Sequence, residues 1–218
     1  MQKYIDENVV VELVNRSIVT DRFRRLEPEK KDRIYQTTIK IFGEYGYDGM
    51  AIDQLCREAG ISKGSFFQYF PSKVHLLEFA ILIFDDYLEK WIAETKQNEK
   101  AVFARDRLLY LFQTLVINSK LYEPEQRFYL FVTNALNHAG VTLEGIDITR
   151  HITQYVSEII ERGETTGEIR GDYDVELTTH IVTLIIGALL EKQYQKKKLT
   201  RFELEGYLIS FLFDGIKA

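Results

Sequence analysis

The stretch AIDQLCREAGISKGSFFQYFPSK, residues 51–73, indicates how the N-terminal third of the chain folds. It contains two short helical patterns, at about 51–59 and 63–69, which are separated by Gly60. Ser62 is a residue type that caps the start of a helix. Because so few residues lie between the two patterns, the chain there must form a tight turn. This arrangement is typical of a helix-turn-helix.

The residue types along this stretch meet the requirements of a helix-turn-helix in order. The first helix needs a small residue facing the turn, which is Cys56, and the turn needs a residue that tolerates positive φ, which is Gly60. The second helix needs apolar anchors so that its other face is free to enter the major groove of DNA. Ile61, Phe66 and Phe70 are those anchors.

Apolar residues recur at helical spacing along nearly the whole chain, so we predict an all-α protein. The first helix of a three-helix helix-turn-helix domain starts near Pro28, a good first-turn residue, and ends at Gly46. This domain spans residues 28–75. It follows an N-terminal extension, residues 1–27, with a candidate short helix at 9–14.

A larger helical domain is predicted for residues 76–218. Its first helix begins after Pro71-Ser72, and its second runs over 103–121. The third starts at Pro124 and closes around 138–140, and the fourth runs over 148–160. A cluster of turn residues, RGETTGEIRGD at 162–172, is expected to end the last of these. A further helix starts after Asp172 or Asp174.

Charged side chains are unevenly distributed along the chain, and the excess of acids lies in its C-terminal part. The net charge is -5, with seven basic and six acidic side chains in residues 28–75 but sixteen basic and twenty-two acidic in 76–218. Six basic residues fall within twelve positions. They are suited to phosphate contacts; the alternative is a solvated face with interspersed acids. This basic cluster comprises Arg22, Arg24, Arg25, Lys30, Lys31 and Arg33.

Composition argues against several other classes of protein. The single cysteine, Cys56, excludes an internal disulfide framework and a multi-cysteine zinc site, and it fits a reducing cytoplasm. The four histidines lack metal-ligand spacing, and neither a glycine-rich phosphate loop nor a GxSxG elbow is present. We therefore expect a cytoplasmic protein with no membrane span, no catalytic residues, no metal and no cofactor.

The chain from Ile34 to Leu77 resembles the N-terminal domain of the TetR family. The resemblance rests on Phe42, Gly46 and Tyr47, followed by REAGISKGSFFQYFPSK and further apolar residues, over about 45 residues without a gap. The later stretch GEIRGDYDVEL resembles the family's approach to its dimerisation helices more loosely. The resemblance implies a ligand-responsive dimeric regulator, most often a repressor, that leaves its palindromic duplex operator when a small molecule binds residues 76–218.

The resemblance also implies which positions meet DNA. Gln68 is the candidate for reading an adenine edge, because a carboxamide pairs with it bidentately, and Phe67 for touching a thymine methyl. Loss of a phosphate-holding residue is expected to weaken all sequences alike, whereas loss of Gln68 is expected to blur one position. The chain departs from the family at Met50 and Ala51, where Thr or Ser usually caps the second helix. The implied DNA-binding positions are Lys63, Gly64, Ser65, Phe67, Gln68, Tyr69 and Lys73.

Two C-terminal helices are apolar on more than one side. Only Thr183 is polar between Ile181 and Leu190, and the last helix starts at a capping box formed by Thr200 and Glu203. We predict that both helices pack against the same pair in a second copy; the alternative is the core of a monomer. The predicted interface residues are Ile181, Leu184, Ile185, Ala188, Leu189, Leu208, Phe211 and Leu212.

The abundance of aromatic residues in the larger domain predicts a lipophilic or aromatic effector, with plain core packing as the alternative for each side chain. Rival functions are a helical protein-interaction module, a constitutive DNA-binding scaffold without a ligand, and a helical enzyme. Duplex binding that weakens steeply with salt favours the regulator. The candidate ligand-binding residues are Trp91, Phe112, Phe128, Tyr129, Phe131 and Tyr155.

Overall fold

The computed structural model describes residues 5–121, 123–135 and 147–194, together with residues 203, 206–208 and 210. The regular elements of this part of the chain are helical, as the sequence predicts. In chain order they are α1 (Glu7–Asn15), α2 (Asp21–Arg24), α3 (Pro28–Gly49), α4 (Ile52–Ala59), α5 (Lys63–Tyr69), α6 (Lys73–Asn98), α7 (Ala104–Leu121), α8 (Glu123–Leu130), a π-helical turn (Phe131–Ala135), α9 (Arg150–Thr166) and α10 (Val175–Tyr194).

The helix-turn-helix helices lie where the sequence predicts them, as α4 and α5. Gly60 caps α4 in the left-handed region with φ 68°, so the requirement for a residue tolerant of positive φ is met. Within α3, Gly46 has φ 67° and ψ -173° and interrupts the helical backbone. The regular part of this helix therefore ends at Gly46, as predicted, and a short helical turn follows it.

Helix α9 extends beyond its predicted end at residue 160, and the expectation that 162–172 forms a continuous turn cluster is wrong. The helix continues to Thr166 and is capped by Gly167 with φ 77°. Gly163 lies inside it, where an added Cβ would meet Ile169 Cδ1 at 2.7 Å and Ala104 Cβ at 3.0 Å. This glycine serves close packing and not a turn, which the sequence pattern did not distinguish.

The end predicted for the helix after Pro124 lies outside the described residues, as do Thr200, Phe211 and Leu212. No helix among the described residues combines the length and apolar character needed to cross a bilayer.

Two compact units make up the chain. Unit 1 comprises residues 1–89 and 122–148, and unit 2 comprises residues 90–121 and 149–218. Within unit 1, α3 packs closely on α8, since a Cβ at Gly43 would lie 2.8 Å from Arg127 Cβ. Within unit 2, α9 packs on α7 and α10. The boundaries of these units differ from those of the functional domains at 28–75 and 76–218, which stay a prediction.

The N-terminal extension is part of the core of unit 1. Val10, Leu13 and Phe23 are at most 1% exposed within that core. Asp6 caps α1 by accepting a hydrogen bond from the Asn8 N–H at 2.9 Å. The short helix predicted at 9–14 is thus confirmed as α1, and α2 adds a second anchor. Burial of each large apolar side chain stabilises the fold by about 1.5–3 kcal/mol.

Candidate nucleic-acid interface

Helix α5 is fixed at both ends of its buried face. Ser62 caps it by accepting a hydrogen bond from the Ser65 N–H at 3.0 Å, and the Ile61 N–H donates to the Cys56 carbonyl at 2.9 Å to close the turn. Phe66 and Phe70 are fully buried. The side chains predicted as anchors therefore hold α5 against the rest of unit 1.

An aromatic cluster packs against the buried face of α5. The Phe70 ring centroid lies 5.2 Å from that of Phe23, 5.3 Å from that of Phe79 and 5.6 Å from that of Phe66. Aromatic pairs at such separations and tilted geometries stabilise beyond their buried area. The cluster joins α2, α5 and α6, so it fixes the orientation of α5 within its unit.

The opposite face of α5 is open to solvent. Phe67 is 52% exposed, and Lys63, Gly64 and Gln68 are also exposed. Ser65 is half-buried, with its Oγ 2.8 Å from that of Ser62. This face of α5 is therefore accessible to a binding partner.

Tyr69 and Lys73 have different surroundings from these exposed residues. Tyr69 is only 7% exposed, and its hydroxyl accepts a hydrogen bond from Lys30 Nζ at 3.5 Å. Lys73 is half-buried, with Nζ 4.5 Å from the ring centroid of Tyr47. Burial lowers the pKa of Lys73, while nearby Asp48 opposes this shift. The phosphate contacts implied for Tyr69 and Lys73 remain predictions.

Two neighbouring side chains of α4 bear on the chemistry of this surface. Lys63 Nζ lies 2.9 Å from Asp53 Oδ1, and both side chains are well exposed. Cys56 is buried in the core beside the turn. Burial raises the pKa of its thiol, with a further contribution from Asp53, which disfavours the reactive thiolate. Cys56 therefore acts as a small packing residue.

The model of the family described as bacterial regulatory proteins, tetR family, matches residues 34–80, which include α4, α5 and the interface just described. The N-terminal part of the chain is a TetR-family domain.

Curated relatives match the chain over its N-terminal part. The regulator YuxN of Bacillus subtilis is 30% identical over 93 residues, which are 40% of this chain and 31% of that protein. The biofilm operon negative transcriptional regulator IcaR of Staphylococcus aureus is 34% identical over 84 residues, 38% of this chain and 44% of that protein. The matches thus span less than half the length of these relatives.

Solved structures share the fold over most of the chain. The fatty acid degradation regulator FadR of Bacillus halodurans has a TM-score of 0.68 at 15% identity, covering 86% of this chain and 96% of that one. FadR of Bacillus subtilis, solved with stearoyl-CoA, has a TM-score of 0.63 at 19% identity, covering 85% and 98%. At these identities the likeness shows the fold alone.

The departure from the TetR-family pattern at Met50 and Ala51 has a structural consequence at α4. Ala51 is the N-cap residue, with extended backbone at φ -102° and ψ 129°, and no side chain caps the helix. The absence of a capping hydroxyl, predicted at Met50 and Ala51, is therefore confirmed. One backbone N–H group in the first turn therefore lacks the side-chain acceptor that a serine would supply.

We expect Ala51→Ser to raise the free energy of unfolding by about 1 kcal/mol, because serine is a strong N-cap residue. Gln54 occupies the third helical position, so the change also creates the spacing of a capping box. Urea denaturation measures the gain. Ala51→Val is the matched control, since it adds a side chain without an acceptor; equal stability of the two variants would contradict the prediction.

Sequence reasoning missed one contributor to the interface, Thr20. Its Oγ1 donates a hydrogen bond to the Gln68 carbonyl at 2.5 Å, and its N–H donates to the Tyr69 carbonyl at 3.0 Å. Thr20 thereby satisfies two carbonyls at the C-terminal end of α5, and it also caps α2. The only local signal was a capping residue type before Asp21, which says nothing about a partner 48 residues away.

The six aromatic candidates for ligand binding fall into two groups. All six are buried or partly buried, and burial raises the pKa of Tyr129 to about 12, so this phenol is neutral. Three belong to the core of unit 1 and three to that of unit 2. The first group is Phe128, Tyr129 and Phe131, and the second is Trp91, Phe112 and Tyr155.

Helix α10 has one face in the core of unit 2 and one in solvent. Val182 and Ile186 are 1% exposed, whereas Ile181 and Leu184 are 46% and 58% exposed. Ala188 is also exposed, and Ile185 and Leu189 are intermediate. Leu208 is fully buried in the core of its own unit, so this predicted interface residue packs inside the chain.

Proposed function

We propose that this chain is a transcriptional regulator that binds a palindromic duplex operator as a homodimer. The observation that carries the proposal is the two-faced environment of α5. Phe66 and Phe70 anchor it in the core, while Phe67 and Gln68 stand in solvent at the surface matched by the family. A helix held in this way is suited to lie in the major groove with its exposed side chains against base edges.

We assign recognition of the DNA base sequence to Gln68 and Phe67. The Gln68 carboxamide would pair with the N6 and N7 edge of adenine, and the Phe67 ring would contact a thymine methyl. Lys63 and Lys73 would hold phosphates and fix the register. The Ser65 hydroxyl is hydrogen-bonded to that of Ser62, and its remaining hydrogen-bonding capacity would be available to DNA.

The exposed stripe of α10 supports the homodimer. Leu177, Ile181, Leu184 and Ala188 follow one another at helical spacing and are exposed, although the other face of the same helix is buried. A two-fold partner would cover this stripe with its own copy. Two recognition helices held about 34 Å apart would then meet successive major grooves on one side of the duplex.

A small lipophilic or aromatic effector is the proposed signal, and release of the operator the proposed response. The buried aromatic groups in both units provide material for an apolar site. FadR of Bacillus subtilis, which shares the fold, was solved with stearoyl-CoA, and the relative IcaR is a negative regulator. The effector would act by binding one conformer more tightly than the other.

The DNA-binding proposal is tested by selecting bound fragments from genomic DNA and measuring their affinity across salt concentrations. We expect a palindromic consensus and an affinity that falls steeply as salt rises. Gln68→Ala is expected to relax specificity at one position of each half-site, while Lys73→Gln weakens binding to all fragments. No binding at low salt would overturn the proposal.

The effector is tested separately on the selected operator. Stearoyl-CoA is the first probe and free coenzyme A its matched control, because the two differ only in the acyl chain. Weaker operator binding with stearoyl-CoA alone supports a lipophilic effector. An operator affinity that no lipophilic or aromatic probe changes would favour the constitutive DNA-binding scaffold.

Asp53 is expected to compete with DNA phosphates for Lys63. Because exposed ion pairs contribute about 0.2–1 kcal/mol, Asp53→Asn should tighten operator binding roughly 1.5- to 5-fold per subunit. Asp172→Asn, which breaks the exposed pair with Arg170 in unit 2, is the control and should leave the affinity unchanged. Fluorescence anisotropy with a labelled operator measures both. A weaker Asp53→Asn complex would show that the carboxylate does not compete.

A further inference from the structure

Charge is segregated within the N-terminal extension. Residues 5–12 contain three acids and no base, whereas residues 16–25 contain four arginines against one acid, Asp21. This separation places positive charge at the end of the extension that is bonded to α5 through Thr20. A local excess of arginine beside a DNA-reading helix favours contact with phosphates.

The position of α2 beside the recognition helix is closely fixed. The two hydrogen bonds from Thr20 reach the carbonyls of Gln68 and Tyr69. One turn later, the Phe23 ring lies 6.2 Å from that of Tyr69 and 5.2 Å from that of Phe70. Helix α2 is therefore held at the C-terminal end of α5 by one side-chain and one main-chain hydrogen bond from Thr20 and by the buried Phe23 ring.

Four of the six cations in the basic cluster already have partners. Arg24 pairs with Asp21 at 3.0 Å, and Lys30 donates to the Tyr69 hydroxyl. The other two are paired as well. Buried Lys31 pairs with Glu7 at 2.6 Å, and Arg33 Nε donates to the Ala59 carbonyl at 3.0 Å.

Arg22 and Arg25 are the remaining two. Both are exposed, and neither forms an ion pair with another described residue. Phe23 is turned into the core, and Arg22 on α2 and Arg25 at its C-terminal cap lie about 100° and 160° around the helix axis from it, on the side away from the core. Arginine is well matched to phosphate geometry and stays charged at every physiological pH.

We propose that Arg22 and Arg25 form a second DNA-contact site, which binds backbone phosphates beside the segment read by α5. The inference rests on the proposed DNA-binding function and extends its surface beyond the helix-turn-helix. The two arginines supply affinity without sequence information, because phosphates are the same at every base pair. The site lengthens the footprint of each subunit at the end of the recognition helix.

The test compares Arg22→Gln/Arg25→Gln with Arg105→Gln/Arg162→Gln in the full chain. The second pair removes two exposed arginines from unit 2, so both variants have the same net charge. Affinity for a 40-base-pair duplex of mixed sequence is measured against salt concentration, since phosphate contacts need no operator. Circular dichroism melting checks that each variant is folded.

We expect the slope of log K against log salt to lose about 0.9 for each phosphate contact removed, and so to change by roughly 2–4 per dimer for Arg22→Gln/Arg25→Gln. The unit 2 variant should keep the wild-type slope. Identical slopes for the two variants would overturn the inference while leaving the regulator intact. Absence of duplex binding by the wild-type chain would instead overturn the proposed function.

Discussion

A chain carrying Leu184→Asp is expected to be monomeric and to bind its operator about 10²–10⁴-fold more weakly, because the gain from linking two half-site contacts is lost. Leu184 is 58% exposed at the middle of the stripe formed with Leu177, Ile181 and Ala188. In the proposed dimer, two copies of the substitution would bury like charges close to the two-fold axis. An unpaired buried carboxylate costs several kcal/mol, so the interface should not form.

Val102→Asp is the matched control for this experiment. Val102 is also apolar and is 66% exposed, but it precedes α7 and lies outside the stripe. Sedimentation equilibrium gives the oligomeric state and a footprinting titration gives the operator affinity. A Leu184→Asp chain that remains dimeric would show that α10 is not the interface; a Val102→Asp chain that also dissociates would show that the effect is not specific to the stripe.

The helix-turn-helix could be predicted from sequence because its signals are local. Gly60, Ser62 and the apolar anchors lie within eleven residues. Gly60 and Ser62 act through hydrogen bonds no more than five positions away, and the anchors recur at helical spacing. The same reasoning identified the missing cap at Ala51. It also separated the buried Phe66 from the exposed Phe67, since the period of a helix fixes which side chains share a face.

The parts that sequence could not predict depend on contacts between distant segments. Gly163 belongs to a helix because Ile169 and Ala104 approach it closely, yet its sequence context is that of a turn. Likewise, the pairing of Lys63 with Asp53 and the engagement of Tyr69 with Lys30 need the tertiary fold. For the ligand candidates, helical spacing cannot distinguish a core aromatic from one that lines a site.

The N-terminal extension is the largest element whose role was invisible in the sequence. Nothing near Thr20 or Phe23 indicates that their partners are Gln68, Tyr69 and Phe70. Because of those contacts, the extension is part of the core of unit 1. It closes the aromatic cluster that orients the recognition helix, and a single substitution tests this role.

Phe23→Ala is expected to lower the free energy of unfolding of unit 1 by about 3–5 kcal/mol, the usual cost of truncating a fully buried phenylalanine. Phe23 is 0% exposed and contacts the rings of Phe70 and Phe79 at 5.2 and 5.0 Å between centroids. The change leaves a cavity between α2, α5 and α6. Hydrogen exchange of the amides in residues 5–27 and 62–70 gives the free energy of each segment separately.

Phe67→Ala is the control, because it removes the same ring from the exposed face of the neighbouring helix. Its stability should change by no more than about 0.5 kcal/mol, as for other surface substitutions, while its operator affinity falls. Phe23→Ala should instead raise exchange in both segments together. If only residues 5–27 exchanged faster while 62–70 stayed protected, α5 would be held without the extension, and the role of α2 in orienting it would be refuted.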